Sequence, residues 1–410
     1  MNLYKLFINL LSVPVTIYIA WIAIRNKDFR FLLQRLGFNY KNTQASTLWI
    51  HAASVGEVNA AKPFINRLSG NNNIILTTNT PSSAIRASTT LNDKMTHVYC
   101  PVDWQWAVGK FISTYKPSRL IIIETELWPN MFSQCRKKSV PVTIINGRLS
   151  EKTLNAANWV KKRYRECLEY VNAVLSRSDE DSNRFTALGS NPSTTKTVGN
   201  IKYYNQADNN NVHAFKSERP YVLAASTRDG EEKIIVNAWK NSQQTGHLLV
   251  IIPRHPQRLN EILEQLKQWN LNISIRSNND TITYDTDIYI ADTFGELLAF
   301  IKGAVFVIMG GSFVNKGGQN ILEVAQANKL VLFGPHMDNF KDEAELFVSQ
   351  QAGIQLKAAD ALPMAIDEFI GNNTLVQYYE NNAKNLISEQ QSILENYLQE
   401  LKVIYPDLEC

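Results

Sequence analysis

From Leu3 to Ile24 the chain is almost continuously apolar, broken only by Lys5, Asn9, Pro14 and a few hydroxyl side chains. At about 1.5 Å per residue such a run is long enough to cross a hydrocarbon core of roughly 30 Å. Arg25, Lys27, Arg30 and Arg35 follow at once. By the positive-inside rule they hold everything downstream on the cytoplasmic side. An amphipathic helix lying in the interface and a helix buried in the protein core remain as alternatives. No small-residue cleavage site separates the apolar run from the charges, which disfavours a cleaved signal peptide.

Beyond this segment, short β-rich runs alternate with helical stretches. Strands are predicted at Thr47–His51, Asn73–Thr78, His97–Cys100, Leu120–Glu124, Val142–Asn146 and Ala173–Ser176. Helix-compatible stretches lie between them at Val58–Leu68, Trp106–Tyr115, Glu151–Tyr170 and Glu180–Leu188. This alternation reads as βαβ units around a parallel sheet. A polar, Asn-rich stretch, Tyr204–Val212, has the composition of a linker. A second alternating set follows at Tyr221–Ala225, His247–Pro253, Asn272–Ile275, Ile288–Ala291, Val305–Met309 and Leu330–Phe333. Ala361 to about Val403 is helical in composition, with the option of crossing back onto the first domain. The organisation predicted is an α/β protein: an N-terminal membrane anchor over 1–30, a doubly wound domain over 45–204, and a second over 213–410 that includes the C-terminal helices. The two domains are expected to face each other across a cleft.

A length of 410 residues fits two domains. The net charge of +4 is too small for the basic stripe of a general nucleic-acid binder. Cys100, Cys135, Cys167 and Cys410 are widely spaced and form no CxxC pair, so neither a zinc site nor a disulfide framework is indicated.

In doubly wound sheets ligands sit at the carboxyl ends of the strands, and the chemistry-bearing motifs fall there. HAASVGEV (His51–Val58) leaves a strand through small residues and brings Glu57 to a helix start. Such a carboxylate can serve as general base on an acceptor hydroxyl, or merely complement the helix N-terminus. In IIIETELWPN (Ile121–Asn130), Glu124 and Glu126 are alternate residues after a buried strand and are expected to share a face. VGNIKY (Val198–Tyr203) brings Lys202 to the edge of the first domain, either solvated or facing an anion. ASTRDGEE (Ala225–Glu232) and PRHPQR (Pro253–Arg258) follow strands of the second domain, and Arg254 and Arg258 suit phosphate or base recognition. DTFGEL (Asp292–Leu297) is a further turn opening a helix. In VIMGGSFVNKGGQNILEVA (Val307–Ala325) a buried strand empties into a Gly-rich loop, with a helix expected near Asn320. That arrangement is a ready anion site, and Glu323 is placed to accept from ribose hydroxyls. GPHMDNF (Gly334–Phe340) is expected to border the same pocket. Neither GxxxxGK[ST] nor a GxGxxG after the first strand is present. Asp179-Glu180-Asp181 spells a DxD metal signature, but it falls at a helix start where Asp is a common cap.

In register, HAASVGE, TTNTP, ETELWPN, NGRLS, GNIKY, ASTRDGEE, PRHPQR, DTFGEL, GGSFVNKGGQN and GPHMDNF resemble the Kdo (3-deoxy-D-manno-octulosonic acid) transferases of lipopolysaccharide synthesis, over nearly the whole chain. The resemblance implies a GT-B fold, a CMP-Kdo donor with no cofactor or metal, and a lipid A precursor as acceptor at the cytoplasmic face of the inner membrane. It implies inversion by direct displacement. Glu57 then matches the proton acceptor, and Glu124 and Lys202 match transition-state stabilisers. Pro253 and Arg254, Phe294, Gly295 and Glu296, and Asn320, Ile321, Leu322 and Glu323 match CMP-binding segments. Ile321 and Phe294 depart from the family pattern, which carries proline and methionine at those places in some members. Two rivals differ in kind: a transferase using a nucleotide-diphosphate sugar, and a membrane-attached sensor without chemistry. CMP-versus-UDP binding separates the first, and turnover separates the second.

Overall fold

A computed structural model of the chain describes residues 11–41, 47–204, 212–243, 246–389 and 392–409. Two compact units emerge: Met1–Tyr204 with Ser392–Cys410, and Asn205–Gln391. In unit 1 the strands are β1 (Leu48–His51), β2 (Ile74–Thr78), β3 (Met95–Tyr99), β4 (Arg119–Ile123), β5 (Val142–Gly147), β6 (Val171–Ser176) and β7 (Thr195–Thr197). They form one sheet in the order β3-β2-β1-β4-β5-β6-β7, every pair parallel. Unit 2 holds β8 (Tyr221–Thr227), β9 (Leu248–Pro253), β10 (Ile273–Ile275), β11 (Ile288–Ile290), β12 (Val307–Met309), β13 (Val331–Phe333) and β14 (Ile354–Gln355). Their order is β10-β11-β9-β8-β12-β13-β14, again all parallel.

The central strands are buried on both faces, which is why they read as unbroken apolar runs rather than alternations. Helices cover each sheet and close two separate cores, one around Trp49, Phe111 and Phe185, the other around Trp239, Phe306 and Phe369. The strand order reverses at β1/β4 in unit 1 and at β8/β12 in unit 2. Loops leaving these four strands diverge and open the ligand-binding crevice of such sheets.

Three expectations change here. First, the anchor. Much of the Leu3–Ile24 run, residues 1–10, lies outside the described residues. The remainder forms helix α1 (Ser12–Asn26), and no helix among the described residues is long and apolar enough to cross a membrane. One face of α1, with Ile19 and Ala23, packs on Phe31, Ala84 and Tyr99 of unit 1, while Val13, Ile17, Tyr18, Trp21 and Ile24 are exposed. Asp28 caps the next helix, α2 (Phe29–Arg35), at the Phe31 N–H (2.9 Å) and accepts the Tyr99 hydroxyl (2.6 Å). Residues 12–30 are therefore built into unit 1 rather than held apart. Arg35 turns inward too, donating to Asn79 Oδ1 (2.9 Å) and the Cys100 carbonyl (2.6 Å).

Second, Ser392–Cys410 belongs to unit 1. Helix α3 (Ile393–Ile404) sends the Tyr397 hydroxyl to the Gly199 carbonyl (2.7 Å), and Tyr405 just beyond it meets Thr143 Oγ1 (2.8 Å). Third, the strand expected through Glu124 ends at Ile123, because Glu124 adopts a left-handed backbone (φ 62°) that no strand can continue.

Candidate active site

In unit 1 the turn after β1 is made by Ala52–Ser54. Ser54 caps the helix Val55–Ser69, accepting from the Glu57 N–H (3.3 Å), while its hydroxyl donates to Glu57 Oε1 (2.9 Å). The Ala53 N–H donates to Glu57 Oε2 (2.6 Å). Glu57 thus complements the helix start, one oxygen on the capping Ser54 hydroxyl and the other on the N–H of the residue before it. It does so with 9% of its surface exposed. Burial dominates its titration: the carboxyl is pushed up to about 7, against the opposing pull of His51 and Ser54 and with a smaller push from Glu126.

His51, the last residue of β1, is fully buried beneath it. Its Nδ1 lies 2.8 Å from Thr77 Oγ1, which also accepts from Trp49 Nε1 (2.8 Å). Its Nε2 has no hydrogen-bond partner and stands 3.7 Å from Glu126 Oε2. Burial disfavours a charged imidazole, but the Cys100 sulfur and the Glu126 carboxylate outweigh it and raise the His51 pKa. Burial likewise pushes Glu126 up. His51 and the Trp128 indole N–H (2.5 Å) more than reverse this, leaving its pKa lowered.

Glu124 and Glu126 do not converge. The left-handed backbone at Glu124 breaks the alternation that would have put them on one face. Glu126 turns to His51 and Trp128. Glu124 instead meets Lys202, Oε1 to Nζ 2.9 Å. Lys202 is held in place from behind: Asn146 Oδ1 accepts the Ile201 N–H (3.1 Å) and Asn200 Oδ1 the Lys202 N–H (3.1 Å). A non-glycine residue held in a left-handed backbone at a strand end, as Glu124 is, is where functional strain is usually stored.

Unit 2 departs from its expected chemistry at the Gly-rich loop. Gly310 passes so close to β8 that an added Cβ would lie 2.6 Å from the Ser226 carbonyl oxygen, so only glycine fits. The N–H groups of Gly311 (2.5 Å), Ser312 (3.0 Å) and Phe313 (2.9 Å) all donate to the buried Glu231 carboxylate, as does that of Arg228 (2.8 Å). Those donors were expected to cradle a ligand anion, but the protein supplies its own. Burial raises the Glu231 pKa while these backbone bonds pull it down. The helix expected near Asn320 is the short Leu322–Gln326, with Asn320 Oδ1 accepting the Leu322 N–H (3.2 Å) and Asn320 Nδ2 donating to Glu323 Oε1 (3.0 Å). Ile321 is fully buried and Leu322 nearly so, while Glu323 is exposed and oriented by Asn320.

Pro253 ends β9, and Arg254 is exposed, its backbone N–H on the Thr227 carbonyl (3.0 Å). Phe294 is 77% exposed, and Gly295 (φ 87°) opens onto free space. Glu296 is taken by Arg276 (2.8 and 3.1 Å), which lowers its pKa. Arg258, a candidate for phosphate, is instead spent on the buried Glu232 (2.9 Å) and on Asp229 and Glu261. The GPHMDNF loop does border the Gly-rich loop, through the Gly334 N–H on Ser312 Oγ (2.8 Å) and the Asn339 N–H on the Gly317 carbonyl (3.0 Å).

The DxD triplet serves structure. Ser178, not Asp179, caps the helix Asp179–Leu188, and Asp181 is buried on the Leu149 N–H (2.7 Å) and Arg177 (2.9 Å). Among the described residues, no group of three or more His, Cys, Asp or Glu side chains is placed to hold a metal ion.

A family model described as 3-deoxy-D-manno-octulosonic-acid transferase (kdotransferase) matches residues 31–205, a span containing Glu57, Glu124 and Lys202. The 3-deoxy-D-manno-octulosonic acid transferase of Rickettsia bellii is 30% identical over 99% of this chain and 100% of its own. The chain belongs to the Kdo transferase family. Its counterpart from Haemophilus influenzae is 29% identical over 94% of each chain. Like them, this Kdo transferase is a glycosyltransferase. Among solved structures, a UDP-GlcNAc 2-epimerase from Neisseria meningitidis covers 87% of this chain and 99% of its own, at 11% identity and a TM-score of 0.59. Anabaena Alr3699/HepE in complex with UDP covers 88% and 100%, at 12% identity and a TM-score of 0.55. At such identities the likeness concerns the fold alone, two parallel-sheet α/β domains of the GT-B kind.

Sequence reasoning did not find the His51–Glu126 contact, the internal role of Glu231, or the partners of Arg228. His51 opens the HAASVGE motif and Arg228 lies within ASTRDGEE, so the motifs held the residues without revealing their partners.

Proposed function

We propose that this Kdo transferase moves Kdo from CMP-Kdo to a lipid A precursor (lipid IVA), with inversion, at the cytoplasmic face of the inner membrane. The acceptor hydroxyl oxygen attacks the anomeric carbon. The bond from that carbon to the phosphate oxygen breaks, and its electron pair leaves on CMP. The hydroxyl proton passes to Glu57. Inversion follows from a single direct displacement. The observation that carries this reading is the Glu57 carboxyl, held at the β1/β4 switch point by two hydrogen bonds and pushed up to about 7. A base with that pKa is ionised for a useful fraction of molecules near neutrality, yet basic enough to take a proton. Glu124 and Lys202 are assigned to stabilising the developing charge, and Asn320, Glu323, Arg254 and the Phe294–Glu296 turn to holding CMP. One departing phosphate needs few cations, so no metal or other cofactor is assigned.

The exposed apolar side chains of α1 (Val13, Ile17, Trp21, Ile24), with Arg25 and Lys27 beside them, support attachment to an anionic membrane. Ile19 and Ala23 would keep α1 on unit 1 while its other face enters the lipid.

The test is mass spectrometry of the product made from CMP-Kdo and a tetra-acylated acceptor in the presence of EDTA. The expected product carries added Kdo. Absence of product without EDTA would sink the donor–acceptor assignment, and loss of product only with EDTA would sink the metal-free one.

A further inference from the structure

Two cations at the carboxyl edge of the unit 2 sheet are matched by carboxylates. Arg258 meets Glu232, Asp229 and Glu261, and Arg276 meets Glu296. Arg228, in the turn directly after β8 at the β8/β12 switch point, is held differently. Its Nη1 donates to His255 Nε2 (2.8 Å). With the Gln319 amide turned so that its oxygen faces the guanidinium, Nη2 (3.2 Å) and Nε (3.1 Å) both donate to that oxygen. Arginine has no acceptor, so His255 Nε2 must accept, and the imidazole is neutral with its proton on Nδ1. Both partners are therefore uncharged. No carboxylate forms an ion pair with Arg228 among the described residues.

Two consequences follow from this holding pattern. Neutral acceptors fix the direction of the fork without cancelling its charge. They also use three of its five N–H groups, leaving one on each Nη, the pair whose spacing matches two oxygens of one phosphate or carboxylate. The neighbouring backbone offers no competing seat, since Glu231 already occupies the N–H groups of Gly311, Ser312 and Phe313.

We propose that Arg228, oriented by His255 and Gln319, grips the phosphate of the donor nucleotide. The proposal rests on the CMP-Kdo reading above and adds to it the group that bears the leaving phosphate's charge. An arginine fork suits this task better than a lysine, because two parallel N–H bonds fix the phosphate's orientation as well as its position.

Calorimetry on the full chain, with CMP and with cytidine, tests it. In Arg228→Gln the affinity for CMP should fall roughly 10- to 100-fold, the usual loss of a charged hydrogen-bonded pair. Cytidine, which lacks the phosphate, should bind as before. Arg228→Lys should restore part of the loss, keeping the charge without the fork. If Arg228→Gln retains the wild-type preference for CMP over cytidine, the assignment is overturned. It is overturned equally if both ligands weaken together, since Arg228 would then only shape the pocket. A wild-type protein that binds neither ligand would refute the donor reading itself, a result distinct from either of these.

Discussion

At the switch point of unit 1, Glu57 receives two hydrogen bonds, keeps a small exposed surface and has its pKa pushed up to about 7. At the switch point of unit 2, Glu231 stands in a comparable turn, after the first strand of its sheet and at the start of a helix, yet it receives four backbone N–H donors and is sealed from solvent. The difference lies in the loop opposite. In unit 1 the loop after β4 brings the Glu126 carboxylate near, so Glu57 shares this region with Glu126 and the buried His51. In unit 2 the β12 loop is glycine-rich and turns N–H groups inward, so the carboxylate becomes an internal counter-ion. One sheet plan thus yields a carboxyl that keeps a small solvent-facing surface on one side and a sealed internal counter-ion on the other, according to what the neighbouring loop presents.

The largest effect that sharpens this contrast is expected at Glu57. Glu57→Gln keeps the shape but cannot take a proton, and kcat should fall by about 10²–10⁴-fold with CMP affinity nearly unchanged. For the wild type, kcat/KM should rise with pH and level off above about 7, as the carboxyl ionises. Retention of more than a tenth of the wild-type rate in the variant would remove Glu57 from proton transfer.

Glu231→Gln should act in the opposite currency. Its amide would turn an NH₂ against backbone donors, costing about 3 kcal/mol or more of unfolding free energy. Denaturation should report this, while the pH at which kcat/KM levels off stays where it was. An unchanged denaturation midpoint would mean that the four donors find water instead.

Glu323→Ala should be milder. The side chain is exposed and oriented only by Asn320, so CMP affinity is expected to drop roughly tenfold with no change in melting temperature. Equal affinity in calorimetry would show that the ribose is held elsewhere.

A further effect is thermodynamic. The folded state raises the Glu57 pKa from 4.5 to about 7, so it binds that proton more tightly than the unfolded chain does. The associated stability is fully present below about 4.5 and is lost as pH rises through about 7. Glu57→Gln removes this dependence. Relative to wild type it should therefore gain roughly 3 kcal/mol between about pH 4 and about pH 8. Parallel stability curves for the two proteins would show that burial does not govern this carboxyl.

The sequence exposed what depends on local pattern. Strands buried on both faces, such as Arg119–Ile123, announce themselves as apolar runs. Edge strands β7 (Thr-Lys-Thr) and β14 (Ile-Gln) do not, because they are short and only half-covered. The placement of Glu57 at a helix start was readable because it is set by a local turn. The Glu124–Lys202 contact was not, since it depends on a left-handed turn at one end and on Asn146 and Asn200 at the other. The Gly-rich loop was misread as an open cradle for the same reason: nothing near it in the chain says that Glu231 will fill it. The expected extent of the second domain failed at its end, where Tyr397 and Tyr405 find their hydroxyl partners in the first.

That last feature bears on how the chain reaches its native state. Unit 1 is discontinuous, and unit 2 is an insertion between its two segments. During synthesis from the N-terminus, the first segment emerges with Gly199 and Thr143 still lacking their tyrosine partners. Unit 2 is continuous in sequence and has its own core, so it can complete before the ribosome has delivered α3. A late step of folding is then the docking of α3, which makes this helix a checkpoint for the first domain. Chains cut short by even this one helix would carry a finished unit 2 beside an open unit 1, and quality-control proteases should clear them faster than the full-length protein.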